Sequence, residues 1–160
     1  MRTLVERFER PVMALCLRMV QHRQDAEDVA QESLVRVCRH LASWDGSRDL
    51  LPWVLAITAN RCRTALEKRS RRPIPSDSLR EPIAPDVPQP QGLGEELELA
   101  LQHLRIEHRT CFTLFYQQEL SILEISAVMG VPDGTVKTWL HRARKQLAEL
   151  LQAKGFAPAS

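Results

Sequence analysis

The stretch GVPDGTVKTWLHRARKQL, residues 130–147, sets basic and hydrogen-bonding side chains at helical spacing. On a wheel of about 100° per residue, Val136, Leu140, Ala143, Leu147 and Leu150 share one arc. Thr138, His141, Arg142 and Lys145 share the opposite arc. Once the apolar arc is buried, the other presents hydroxyl, imidazole, guanidinium and ammonium groups, which can donate to base edges and phosphates in a major groove. Arg142 suits bidentate readout of guanine, and Lys137, Arg144 and Lys145 suit phosphates. The plainer alternative is a solvated basic face, with some of the charge placed near the helix C-terminus by the dipole.

The residues before this stretch position it. Ser121 with Glu124 three residues on reads as a capping box. Gly130 fits a left-handed C-cap. Pro132 and Asp133 fit the first turn of the next helix, Pro for its fixed φ and Asp for the dipole. A short helix, a glycine turn and a longer helix make a helix-turn-helix layout.

Upstream lie two more chemically loaded segments. A helix over 25–41 buries Ala26, Ala30, Leu34, Val37 and Leu41 on one arc. The other arc carries Asp25, Asp28, Glu32, Val35, Arg36 and Arg39, with Gln31 at its edge. Mixed charge around Val35 suits either a solvated face or a protein-binding one. Asp45-Gly46 marks a loop over 43–50. In the helix after it, Val54, Leu55, Thr58, Cys62 and Ala65 form the apolar arc, and Trp53, Ala56, Asn60 and Arg63 lie across from them. Trp53 beside Asn and Arg could stack on unpaired bases; equally, Trp53 and Trp44 could pack against neighbouring helices. The basic run 68–72 reads as a surface for a nucleic-acid backbone.

These segments belong to an all-helical chain. Strand-type alternation is absent, and helices are expected near 2–22, 25–41, 51–71, 95–106, 108–118, 121–129 and 133–152. Six of the ten prolines fall within 73–90, so this stretch reads as a tether between two small helical domains. Roughly 20 residues at about 3.1 Å each would reach about 60 Å, on the order of 17 base pairs of duplex. The net charge of +2 is uninformative, but its distribution is not. Four acids and no base lie between Asp25 and Glu32, whereas six bases and one acid lie between Arg61 and Arg72. Separate surfaces for separate partners follow. The charged N-terminus and the lack of a long apolar run point to a soluble, cytoplasmic chain without signal peptide or membrane span. The four cysteines form no CxxC pair and read as small core residues, reduced in that compartment.

Three stretches, DAEDVAQESLVRV, LPWVLAITANRCRTAL and ISAVMGVPDGTVKTWLHRARKQL, occur in the order of the hallmark segments of bacterial RNA polymerase sigma factors. The chain resembles the extracytoplasmic-function group of that family over about residues 4–152. The resemblance implies a region 2 domain at 1–72, a linker at 73–94, a region 4 domain at 95–152 and a short tail at 153–160. It implies that Asp25, Asp28, Gln31, Glu32 and Arg36 dock on the clamp helices of the polymerase β′ subunit, with the β subunit as a further contact. Loop 43–50, with Trp44 and Arg48, would join Trp53, Asn60, Arg61 and Arg63 in capturing a flipped base of the −10 element. Thr135, Lys137, Thr138, His141, Arg142 and Lys145 would read the −35 element. The linker would thread the RNA exit path, and an anti-sigma protein, itself soluble or held at a membrane, would cover both domains. Three positions depart from the family pattern: Trp139 stands where Arg is usual, Ile106 for a common Pro and Ser126 for a common Ala.

On this reading the chain is not an enzyme and needs no metal or cofactor. Duplex opening follows from preferential binding of the open form, which shifts the equilibrium by the difference in affinity. The alternatives are a helix-turn-helix regulator acting without polymerase core, which would need a ligand pocket or dimer interface in the N-terminal half, and a sigma-like adaptor that binds only proteins. No glycine-rich nucleotide loop and no metal-ligand spacing occur.

Overall fold

The computed structural model describes residues 2–71 and 92–156. Among them there are α-helices and one 3-10 turn, and no strand, as the sequence leads one to expect. The helices are α1 (Arg2–Val20), α2 (Arg23–His40), α3 (Leu50–Arg71), α4 (Leu93–Gln102), α5 (Ile106–Tyr116), α6 (Ile122–Met129) and α7 (Asp133–Ala153). Most of the linker assigned to 73–94 lies outside the described residues, as does Arg72; residues 93 and 94 already belong to α4.

Local chemistry sets the helix ends. α1 stops where Gln21 takes a left-handed φ of 54°, and α2 starts at once because His22 Nδ1 accepts the Asp25 amide at 3.2 Å. The Ser121–Glu124 capping box forms in both directions, and Gly130 closes α6 at φ 69°. Pro132 sits one place earlier than expected: it is the N-cap of α7, and the first turn begins at Asp133. The expected break near 107 falls instead at 103–105, where the amides of His103 and Leu104 turn back onto Ala100 and Leu101 and α5 begins at Ile106. Ile106, in place of the common Pro, is compatible with this because the first helical position asks nothing of its amide.

The main difference from the sequence expectation concerns the core. α1, α2 and α3 pack together as a three-helix unit, but their core continues into the C-terminal half. One cluster joins Val12, Leu15, Cys16, Val54, Leu55 and Cys62 with Cys111, Leu114, Ile125, Val128, Met129 and Leu140. A second, smaller core, comprising Ala100, Leu101, Leu104, Ala143 and Leu147, belongs to the C-terminal half alone. α5 lies against α1, and α6 lies against α3. Two halves this small each bury little apolar surface alone, and packing them together removes more of it from water.

Candidate nucleic-acid interface

α7 carries the arrangement anticipated for groove reading. Val136, Leu140, Ala143 and Leu147 are buried, while Lys137, Thr138, His141, Arg142 and Lys145 are exposed along one side; Thr135 is half-buried. Hydrogen bonds in the turn before the helix set its start. Ser126 Oγ donates to the Val131 carbonyl, and the amides of Gly130 and Val131 return to the Ser126 carbonyl at 2.9 and 3.2 Å. Ser126, the departure from Ala, therefore braces the turn. Trp139 is half-buried against the shared core rather than projecting with its basic neighbours. Arg144 also leaves the basic set: its Nε donates to the Tyr116 hydroxyl at 2.6 Å, and its guanidinium lies over the Phe115 and Tyr116 rings. A cation held on two aromatic rings packs the helix rather than waiting for a phosphate.

The residues assigned to the −10 element divide. Arg48 and Asn60 are exposed. Asp45 organises their loop, its carboxylate accepting from the Ser47 amide at 3.0 Å and hydroxyl at 2.8 Å, and those bonds hold its pKa below the usual carboxylate range. Trp53 is half-buried and packs on the core, although one side lines a groove with Trp44, Pro52 and Ala56. The Trp44 indole N–H is buried without a hydrogen-bond partner. The opposite wall of that groove is α6, through Leu123, Glu124 and Ala127. Arg63 is half-buried and engaged by α6, its Nη1 donating to the Met129 carbonyl at 2.8 Å and its Nη2 to the Val128 carbonyl at 3.2 Å.

On α2, Asp28, Gln31 and Glu32 are exposed, and Asp25 and Arg36 are half-buried. Val35, in their midst, is 49% exposed, so an apolar side chain stands in a charged field. The fold adds a link between surfaces that the sequence treats separately: Arg61 Nη1 donates to Glu32 Oε1 at 3.2 Å and Nη2 to Thr64 Oγ1 at 3.1 Å. Partial burial pushes the Glu32 carboxyl up, but hydrogen bonds and charge from Arg61 and Arg36 outweigh it and leave the pKa below the ordinary value.

Comparison with known families decides what this constellation belongs to. Residues 4–72 match the model of Sigma-70 region 2 and residues 94–147 that of Sigma-70, region 4. The RNA polymerase sigma-H factor of Pseudomonas aeruginosa is 31% identical over 93% of this chain and 84% of its own length. The chain belongs to the sigma-70 family of RNA polymerase sigma factors. The ECF RNA polymerase sigma-E factor of Haemophilus influenzae, 30% identical over 93% of this chain and 86% of its own, places it with the ECF group. ECF RNA polymerase sigma factor SigW of Bacillus subtilis is 29% identical over 93% and 87%. In fold, this sigma factor is similar to RpoE of Bartonella quintana, solved with the anti-sigma factor NepR (TM-score 0.81, 24% identity, 94% of this chain and 96% of that one). CnrH, solved with the cytosolic domain of CnrY, follows at TM-score 0.67, 24% identity, 94% and 86%.

Sequence reasoning missed one residue that the sigma-factor fold makes central. Arg109, in the largely apolar α5, is buried; its Nε donates to the Arg18 carbonyl at 2.6 Å, Nη2 to the Met19 carbonyl at 3.2 Å and Nη1 to the Leu104 carbonyl at 2.9 Å. Burial lowers its pKa to about 10, which leaves it charged at neutral pH. The available signal was a lone arginine inside EHRTCFTLFY, a charge that an apolar helix keeps only with partners. Among the described residues no helix is long and apolar enough to cross a membrane, and no group of three metal-ligating side chains forms.

Proposed function

We propose that the chain serves as the promoter-recognition subunit of RNA polymerase, docking on core through α2, reading the −35 element with α7 and capturing the −10 element with α3 and its preceding loop. The observation that carries this is the exposed row Lys137, Thr138, His141, Arg142 and Lys145 on a helix whose other face is fully used for packing. Arg142 supplies guanine readout and Lys137 and Lys145 phosphate contacts. Asp28, Gln31, Glu32 and Arg36 around Val35 form the core-docking face. Trp44, Arg48, Trp53 and Asn60 take the unpaired base, with Arg61 and Arg63 beside them. On this reading the work divides between residues 1–72 and 95–152, and no step requires a catalytic residue. The protein acts in the cytoplasm. The solved relative RpoE is bound to an anti-sigma factor, which supports assigning such a regulator to this chain.

Run-off transcription on fragmented genomic DNA, with purified core and with or without this protein, tests the proposal. Discrete transcripts that require the protein are expected. Specific duplex binding by the protein alone, with no such transcripts, would replace the proposal with a regulator that acts without core.

A further inference from the structure

Where the ends of α1 and α3 face the turn between α4 and α5, a groove of about 580 Å³ remains. Small-molecule sites have volumes of about 300–1,000 Å³. Its apolar lining is Leu17, Met19, Val20, Leu66 and Ile106. Leu17 stays 36% exposed, so part of that lining meets water. The polar lining is Gln21, Arg69, Gln102, His103 and Arg109, and among the described residues no carboxylate lines the groove. Arg69 donates to the Val20 carbonyl at 3.2 Å, and Arg109 to those of Arg18, Met19 and Leu104. A guanidinium carries five N–H groups, so these bonds exhaust neither arginine. The carbonyls at the end of α1 return about half a unit of negative charge against two full positive ones. Glu107, the acid whose charge Arg109 feels, pairs instead with Arg105 at 3.7 Å. The groove is therefore cationic along an apolar wall.

We propose that this groove binds an amphipathic anion, a medium-length acyl chain carrying a carboxylate or phosphate head. Arg69 and the remaining donors of Arg109 take the head through charge-assisted hydrogen bonds, with the Gln21 and Gln102 amides beside them. The chain lies on Leu17, Val20, Leu66 and Ile106 and removes their exposed surface from water. Inorganic phosphate would leave the apolar wall wet, and a hydrocarbon would leave the guanidiniums without a counter-charge. A molecule that joins the two chemistries uses both parts of the lining. Because α1 and α3 supply one side and α4 and α5 the other, the bound molecule touches both halves of the chain and adds to stability by mass action. The site does not rest on the proposed function, since none of its residues is assigned to DNA or to polymerase.

Titration of the full chain, labelled at its methionine and isoleucine methyl groups, with sodium decanoate tests the proposal by NMR. Shifts should gather at Met19 and Ile106 and spare Met129 and Ile57. Affinity should rise about two- to fourfold per methylene from hexanoate to decanoate, as burial of the chain requires. Decyltrimethylammonium, with the same chain and the opposite charge, should leave both groove methyls unmoved. Arg69→Gln should weaken decanoate binding about tenfold at unchanged helical circular dichroism. Decyl phosphate titrated beside decanoate separates the two head groups, and the tighter ligand names the head. No shift at Met19 and Ile106 with either anion overturns the proposal, as do equal binding of the cation and shifts spread to Met129 and Ile57. An Arg69→Gln variant that binds decanoate as tightly as the wild type overturns it too. The ligand of opposite charge keeps the test decisive on the wild type alone if the substitution disturbs the fold.

Discussion

Arg63 and Arg109 belong to different halves of the chain, and each caps a helix of the half it does not belong to. Hydrogen bonds to a charged donor contribute about 1.5–3 kcal/mol each, and leaving a buried guanidinium without its acceptors costs more than that. The two guanidiniums therefore fix the register in which the halves pack around their shared apolar core.

The recognition face makes the first prediction. Arg142→Ala should weaken binding to a cognate −35 duplex by about 1–3 kcal/mol and relax preference at one base pair. Lys145→Ala should weaken all duplexes alike and lower the salt slope by about 1. Arg144→Ala should leave that slope alone and lower thermal stability, since its guanidinium packs on Phe115 and Tyr116. Fluorescence anisotropy across a salt series separates the three, and a reduced slope in the Arg144 variant would contradict the assignment.

For core docking, Glu32→Ala is the informative change. Its carboxylate is half in water, 52% exposed, so losing the pair with Arg61 should alter stability by less than about 1 kcal/mol. Affinity for polymerase core should nevertheless fall clearly. Equal core binding by wild type and variant in a competition assay would remove Glu32 from the docking face.

At the turn, Gly130→Ala should destabilise the fold by about 1–2 kcal/mol, because φ 69° is left-handed and places a Cβ against the following carbonyl. Nothing lies within 4 Å of the added Cβ, so the cost is conformational rather than steric crowding by neighbours. Ser121→Ala should cost about 1 kcal/mol by opening the capping box. Urea midpoints check both; a Gly130→Ala variant as stable as wild type would show that the turn adapts.

Acid should loosen the C-terminal half. Burial first, and repulsion from Arg105 second, lower the His108 pKa below its ordinary 6.5, and its Nδ1 is buried without a partner. The unfolded chain then binds more protons than the folded one as pH falls through 6.5. The stability that neutral His108 contributes is complete above that value and is lost progressively below it, down to the folded pKa. Denaturation at pH 7.5 and 5.5 should show lower stability at 5.5 in the wild type and a flatter dependence in His108→Gln. An identical dependence in both would discharge His108.

Much of this was legible in the chain. The capping box, the glycine C-cap and the two faces of α7 are matters of spacing within a turn or two, where backbone sterics and the 3.6-residue period act alone. The apolar arcs of α2 and α3 were legible for the same reason in part: Ala26, Ala30, Val37, Val54, Leu55, Thr58 and Cys62 are buried as expected, whereas Leu34, Leu41 and Ala65 are only half-buried, Leu41 lies in the 3-10 turn past the end of α2, and Val29, Ser33 and Ala59 join the buried sets. Charge segregation likewise separated an acidic α2 from the basic end of α3.

Partners distant in sequence were not legible. Arg63 meets Val128 across 65 residues and Arg109 meets Met19 across 90, and no periodicity encodes such a meeting. Cys16 and Cys62, unpaired by any sequence spacing, lie 3.7 Å apart in the core as thiols; their mutual contact, with burial, pushes the Cys62 pKa upward and suits them to packing. A wheel assigned Trp53 and Arg63 to the arc across from the apolar one, correctly relative to their own helix, but outward from one helix is inward to the next once helices pack. Which helices form, and which faces they offer, depends on neighbours within a turn, so the order of residues settles both. Which offered faces meet one another, and which remain for DNA and polymerase, depends on burial and charge summed over residues far apart in the chain, and that is settled only when the helices pack.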